Sequence, residues 1–159
     1  MRTGDILLIK SRLDLVGWLI RRGTHSQWNH VAWAIDNQTL VELKAKGKRI
    51  TPLNKYLNRF MYGVKLVRIK YVGVEDFIYC LDIAVNTNHY YSYTSSLVNY
   101  ICVQTKILKK LPRPTCSGFI ATILDKVDFW FLEKKDPNFI TPADISKSDK
   151  VEDVSCELK

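Results

Sequence analysis

The sequence lacks the features that would place the protein in a membrane, secreted or zinc-binding class. No apolar run approaches the ~18 residues of a membrane-spanning helix. The first residues, MRTGDILLIK, lack the apolar core and cleavage site of a signal peptide. None of the four cysteines forms a C-x-x-C pair, which argues against a redox or zinc motif. We therefore expect a protein that is made and kept in the cytoplasm with reduced thiols. A role outside the cytoplasm would need release by lysis or phage-type export.

Acidic residues are scarce relative to basic ones. The chain of 159 residues carries 24 Lys and Arg against 16 Asp and Glu, a net charge of +8. This balance favours anionic partners such as nucleic acid, anionic lipid or a cell-wall polymer. No recognition-helix pattern, zinc-finger spacing or aromatic-plus-basic motif accompanies the charge. We therefore expect no specific nucleic-acid partner, while the oligomeric state stays open.

The pattern of apolar residues predicts one α+β domain over residues 1–145 and a polar, flexible tail over 146–159. Strands are predicted over residues 4–10, 30–36, 39–44 and 62–72, and helices over 13–23, 51–60, 74–86, 92–111 and 116–127. Residues 136–145 read as a loop that ends in a helical turn. Strands thus dominate the first half of the domain and helices the second.

Cys116 is the cysteine that the pattern favours for chemistry. It follows Pro-Arg-Pro-Thr and opens an apolar helix, and a helix N-terminus lowers the pKa of a thiol and favours the nucleophilic thiolate. The alternative is a buried cysteine of the core. Cys80 and Cys102 lie among apolar neighbours in the middle of helices and are read as core residues.

His30 and Glu42 lie on consecutive predicted strands. His30 begins HVAWAID, where an imidazole could serve as a general base. Glu42 lies in TLVELK, and on an adjacent antiparallel strand its carboxylate could reach the far nitrogen of His30. The alternatives are a structural histidine and a solvated glutamate paired with one of the nearby lysines. Spacing does not decide between these interpretations.

The order of these motifs carries a resemblance to a known family. GDILLI, WNHVAWAID, LVELKAKG, ITPLNKYL, TCSGF and FITPADI follow one another over residues 4–145. The sequence resembles the circularly permuted branch of the NlpC-type papain-like superfamily, above all its YiiX/YebB-like hydrolases. Gly118 departs from the pattern, since relatives often carry an acidic residue there.

The resemblance implies a papain-like fold in which a small antiparallel sheet carries His30 and Glu42 and packs against the helix that Cys116 opens. It implies Cys116 as nucleophile, His30 as base and Glu42 as the residue that orients His30. Four more residues are expected at the substrate cleft, with ordinary loop packing as the alternative for the first two: Ser26, Trp28, Tyr91 and Ser117.

The function that follows from the resemblance is a thiol hydrolase without cofactor or metal. It would cleave an amide or ester bond of a cell-wall peptide or a lipid acyl substrate through an acyl-enzyme. The alternatives are acyl transfer, as in the lecithin:retinol acyltransferase-type enzymes, and a non-catalytic binding module on the same fold. A metal site built from His25, His30 and Cys116 matches no standard zinc spacing.

Overall fold

The computed structural model describes residues 1–13, 15–23, 25–44, 47–70, 72–87, 115–133 and 136–158. The helix predicted over residues 92–111, together with Cys102 and Tyr91, lies outside these ranges. The described strands are β1 Ile6–Ser11, β2 His30–Ala34, β3 Thr39–Lys44, β4 Gly47–Pro52, β5 Tyr62–Ile69 and β6 Val151–Asp153. The described α-helices are α1 Leu15–Gly23, α2 Val74–Asn86, α3 Cys116–Leu124 and α4 Pro142–Lys147.

The six strands form one antiparallel sheet in the order β4-β3-β2-β1-β5-β6. Alternate side chains of a strand point to opposite faces, so Ile6 and Leu8 of β1 join one cluster of buried residues and Leu7 and Ile9 another. The larger cluster packs against α2 and α3, and the smaller one includes Tyr56. Both faces of β1 are covered, which explains its continuous apolar run.

One predicted helix is wrong. Residues 51–60 read as a helix because Thr51 and Pro52 look like a cap and a first helical position. In the structure these two residues end β4, and only a single 3-10 turn, Leu53–Tyr56, follows. Gly47 explains the difference, because its positive φ of 103° turns the chain back. Residues 47–52 then pair along the whole of β3.

The tail also differs from the sequence prediction, which treated residues 146–159 as flexible. Strand β6 pairs with β5, and a 3-10 turn, Ser155–Glu157, follows it. The Arg68 guanidinium of β5 donates to the carboxylates of both Asp5 and Glu157 at 2.8–3.0 Å. Ion pairs of this kind leave no apolar periodicity, so the pattern gave no sign of the ordered segment.

Within the parts of the chain that the structure describes, no helix combines the length and the apolar character needed to cross a membrane.

Candidate active site

The site lies where two neighbouring strands part. Strands β2 and β3 pair only at Trp33↔Val41 and Ala34↔Leu40. Towards the start of β2 the ladder ends, so the backbone of Val31 is not paired with β3. His30 opens β2 at this end, and Glu42 lies on β3, which stays paired with β4. At this end of the sheet, His30 and Glu42 therefore come from neighbouring strands, and the backbone N–H of Val31 is not paired with β3.

Glu42 is the polar centre of the site, with 1% of its surface exposed. Its Oε2 lies 2.7 Å from His30 Nε2 and accepts from Tyr56 Oη at 2.6 Å. Its Oε1 accepts from Thr51 Oγ1 at 2.6 Å and lies 3.1 Å from Lys44 Nζ. Burial raises the pKa of Glu42, but the hydrogen bonds from His30, Thr51 and Tyr56 and the charge of His30 outweigh it and hold that pKa well below its usual range. The carboxylate is therefore charged at neutral pH.

His30 lies between Glu42 and Cys116, with 16% of its side chain exposed. Burial lowers the pKa of His30, but the charges and hydrogen bonds of Cys116 and Glu42 raise it to about 9. Because Nε2 faces Glu42, Nδ1 is the ring nitrogen that remains for the hydrogen bond to Cys116. The ring is therefore an imidazolium at neutral pH.

Cys116 is the first residue of α3 and is 6% exposed. Burial raises the pKa of its thiol, but the His30 charge and hydrogen bonds from His30 and from the N–H groups of Val31 and Ser117 lower it overall. The helix N-terminus acts in the same direction. The lowered pKa of Cys116 and the raised pKa of His30 both favour a thiolate–imidazolium pair over the neutral pair. Cys80 shows the opposite behaviour, since burial raises the pKa of its thiol to about 11.

Local sequence fixes where α3 begins. Thr115 caps the helix, because its Oγ1 accepts from the N–H of Gly118 at 3.0 Å. A Cβ on Gly118 would lie 3.0 Å from the Asn138 carbonyl oxygen and 3.1 Å from Thr115 Oγ1. A side chain at position 118 would press on this carbonyl and on the cap, and glycine lets the 3-10 turn Pro137–Phe139 pack against the cap.

Two residues predicted at the cleft have structural contacts instead. Ser117 is buried, and its hydroxyl donates to the Ile140 carbonyl at 2.6 Å. Trp28 belongs to the larger buried cluster, and its Nε1 donates to Ser146 Oγ at 3.0 Å. These contacts occupy the Ser117 hydroxyl and the Trp28 indole N–H, whereas the Ser117 backbone N–H faces the Cys116 sulfur.

The remaining candidates are Ser26, His25 and Tyr91. Ser26 is half-buried, and its Oγ accepts from the Trp28 N–H at 3.1 Å, which is ordinary loop packing. His25 is exposed and has a positive φ of 47°. Tyr91 lies outside the described residues. The structure thus brings together Cys116, His30 and Glu42.

The sequence interpretation missed Thr51 and Tyr56 as partners of Glu42. Pairing with a nearby lysine was the alternative role for Glu42, and the structure has this ion pair together with the His30 contact. Lys44 follows Glu42 by two positions and so shares its face of β3. Thr51 faces Leu40 in the β3–β4 register and was read as a helix cap. Identifying β4 from Gly47 would have placed Thr51 beside the carboxylate.

The donor set does not suit a metal ion. In the described ranges, no group of three or more His, Cys, Asp or Glu side chains is arranged to hold one. Four donors already fill the two oxygens of Glu42, which leaves this carboxylate little capacity for a cation.

Comparison with known proteins supports the fold. No protein-family model matches the sequence, and no curated protein matches it. Among solved structures, the metalloprotein YiiX from Escherichia coli O157:H7, described under DUF1105, is similar with a TM-score of 0.63. The identity is 16%, and the match covers 96% of each chain. The protein therefore has a YiiX-like α+β fold.

Proposed function

We propose that the protein is a cysteine hydrolase of the circularly permuted papain-like type, which cleaves an amide or ester bond through an acyl-enzyme. The observation that carries the proposal is the hydrogen-bonded chain from Glu42 through His30 to Cys116. A buried carboxylate behind an imidazole and a thiol at a helix start are the three roles of a catalytic triad. A YiiX-like fold agrees with the proposal.

The mechanism follows from the protonation states. The Cys116 thiolate attacks the substrate carbonyl carbon, and the π electrons move to the carbonyl oxygen. Backbone N–H groups at the start of α3 stabilise this oxyanion. When the tetrahedral intermediate collapses, the bond to the leaving alcohol or amine breaks. The His30 imidazolium donates its Nδ1 proton to that group, and a thioester remains on Cys116.

In deacylation, His30 acts as a base instead of an acid. Neutral His30 takes a proton from water while the water oxygen attacks the thioester. Collapse releases the carboxylic acid and returns the thiolate, with the imidazolium reformed. Glu42 stays charged throughout, because its hydrogen-bond donors hold its pKa low. It keeps the Nε2 hydrogen bond and therefore the ring orientation.

The test is acylation of the intact chain by a p-nitrophenyl acyl ester, with the modified cysteine located by peptide mass. We expect the acyl group on Cys116, and loss of the adduct in Cys116→Ala. His30→Ala should slow nitrophenolate release by about 100-fold or more, the lower range for general acid–base catalysis.

Cys156→Ser is the matched control, because Cys156 is exposed and lies in the turn after β6. It should leave the rate unchanged. Acyl groups on Cys156 or Cys80 without any on Cys116 would contradict the proposal. A folded protein that forms no adduct at all would favour the non-catalytic binding module.

A further inference from the structure

Large apolar side chains are exposed together at one end of the sheet. Leu13 is 81% exposed, Leu15 75% and Phe60 90%. Trp18, Leu57 and Met61 are exposed to a lesser degree. We call these six residues the apolar rim. A cluster of exposed large apolar side chains marks an interaction surface, whereas single ones need no explanation.

Strand register brings the two segments of the rim together. β1 and β5 are antiparallel, and their paired ends are Ser11 and Tyr62. One step beyond, the Arg12 N–H donates to the Met61 carbonyl at 3.0 Å. The chain that leaves β1 towards α1 and the loop that enters β5 therefore lie side by side.

Basic residues lie in the same two segments of the chain as the apolar rim. The rim cations are Lys10, Arg12, Arg21, Arg22, Lys55 and Arg59. Residues 10–22 and 55–61 contain a single acid, Asp14. Lys10, Arg21 and Arg22 line one surface depression together with Trp18. Arg22 also lies over the Trp18 ring, 5.8 Å from its centroid. The surface thus combines apolar tips with a local excess of positive charge.

We propose that the apolar rim and its cations dock the protein on an anionic lipid bilayer. A bilayer offers both features that the surface needs, an apolar phase beneath a negatively charged interface. A cell-wall polymer or a nucleic acid would satisfy the cations but would leave the apolar tips in water.

The candidate active site lies at the same end of the sheet. His30 pairs with Ile9, the residue before Lys10. Asn29, which precedes His30, accepts with its Oδ1 from the N–H of Ser11 and from Arg21. A docked bilayer would therefore lie at the end of the sheet that carries His30, and a membrane lipid with an acyl ester is the substrate class that this placement favours. This last step rests on the proposed function, whereas docking itself does not.

The test is flotation of the intact chain with vesicles, either of phosphatidylcholine alone or of phosphatidylcholine and phosphatidylglycerol in equal parts. We expect flotation with the mixed vesicles and at least tenfold weaker binding without the anionic lipid. Arg12→Gln and Arg59→Gln should each weaken binding to mixed vesicles by about fivefold, since a basic residue near such a surface contributes about 1 kcal/mol. Leu13→Ser combined with Phe60→Ser should weaken binding about tenfold or more.

Val74→Ser combined with Ile78→Ser is the matched control. These residues are exposed on α2, whose first turn lies at the opposite end of β1, where Phe77 abuts Gly4. The control should bind as the unchanged protein does. Trp18 adds a spectroscopic readout, because its emission should shift to the blue with mixed vesicles and this shift should be lost in Trp18→Phe.

Absence of flotation, or equal weakening by the rim and control pairs, would overturn the docking proposal and leave the hydrolase proposal standing. Cys116→Ala should float unchanged. If it floats while the unchanged protein forms no acyl adduct, the hydrolase proposal fails and the docking surface stands.

Discussion

Replacing Glu42 by glutamine tests the electrostatic logic of the site most directly. The amide is almost isosteric with the carboxylate but carries no charge. If its oxygen faces His30 and Tyr56, its NH2 faces the Lys44 ammonium, which cannot accept a hydrogen bond. If it is turned round, the NH2 faces His30 Nε2 and favours the neutral ring. Either orientation disfavours the imidazolium that the carboxylate stabilises at 2.7 Å.

The expected size of the pKa shift follows from the charge that is lost. An opposite charge within hydrogen-bond reach shifts a pKa by about 1–3 units. Without it the pKa of His30 falls from its value of about 9, the imidazolium becomes less abundant, and the pKa of Cys116 rises. We expect the midpoint of Cys116 alkylation to lie about 1–2 pH units higher in Glu42→Gln than in the unchanged protein.

The assay is the rate of alkylation by iodoacetamide across pH, read at the Cys116 peptide by mass. Peptide-level detection separates Cys116 from the exposed Cys156. Glu152→Gln is the matched control, because it removes the same charge from an exposed position on β6, beyond β5 and far from β3 in strand order. An unmoved midpoint in Glu42→Gln, or an equal shift in Glu152→Gln, would refute the reasoning.

Three further predictions concern stability. Gly118→Ala should lower the free energy of unfolding by about 1–2 kcal/mol, measured in urea, because the new Cβ presses on the Asn138 carbonyl. Gly63→Ala should leave the free energy of unfolding unchanged, because its Cβ would meet only Lys10 at 3.5 Å. Equal effects of the two changes would contradict the packing argument. Arg68→Lys should speed amide exchange in β6, since lysine cannot hold two carboxylates in the same bidentate way. An unchanged exchange rate would show that pairing with β5 is enough to hold β6 in place. The lowered pKa of Glu42 contributes stability that is present above the ordinary Glu pKa of 4.5 and is lost as the pH falls towards the folded-state pKa. On acidification, the urea midpoint of Glu42→Gln should therefore drop less than that of the unchanged protein. Equal drops would refute this linkage.

Much of the fold was accessible from local pattern. The helix over residues 74–86 coincides with α2, and the hairpin at 30–44 is present as β2 and β3. Each of these segments carries its own apolar periodicity, so nearby residues suffice to define it. The antiparallel hairpin also explains why Glu42 could be anticipated behind His30.

The remaining features depend on distant residues. Thr51-Pro52 has the chemistry of a helix start, yet pairing with β3 overrides that local preference. The ordered tail depends on Arg68, more than 80 residues away from Glu157 in sequence. The resemblance placed Trp28 and Ser117 at a cleft. Their contacts with Ser146 and Ile140 arise only from tertiary packing.

Glu157 also contacts the first residues of the chain, and this contact bears on the order in which the elements could follow one another. The Met1 amino nitrogen lies 3.4 Å from the Glu157 carbonyl oxygen, and Arg2 donates to the Glu157 carboxylate. A linker of a few residues could join these ends, and the chain could be reopened at Gly73, just before α2. The rearranged chain would read cysteine, histidine, glutamate, although every strand pair described here could remain. In such a chain the order in which the three residues are synthesised would change, while the geometry in which they meet would stay the same.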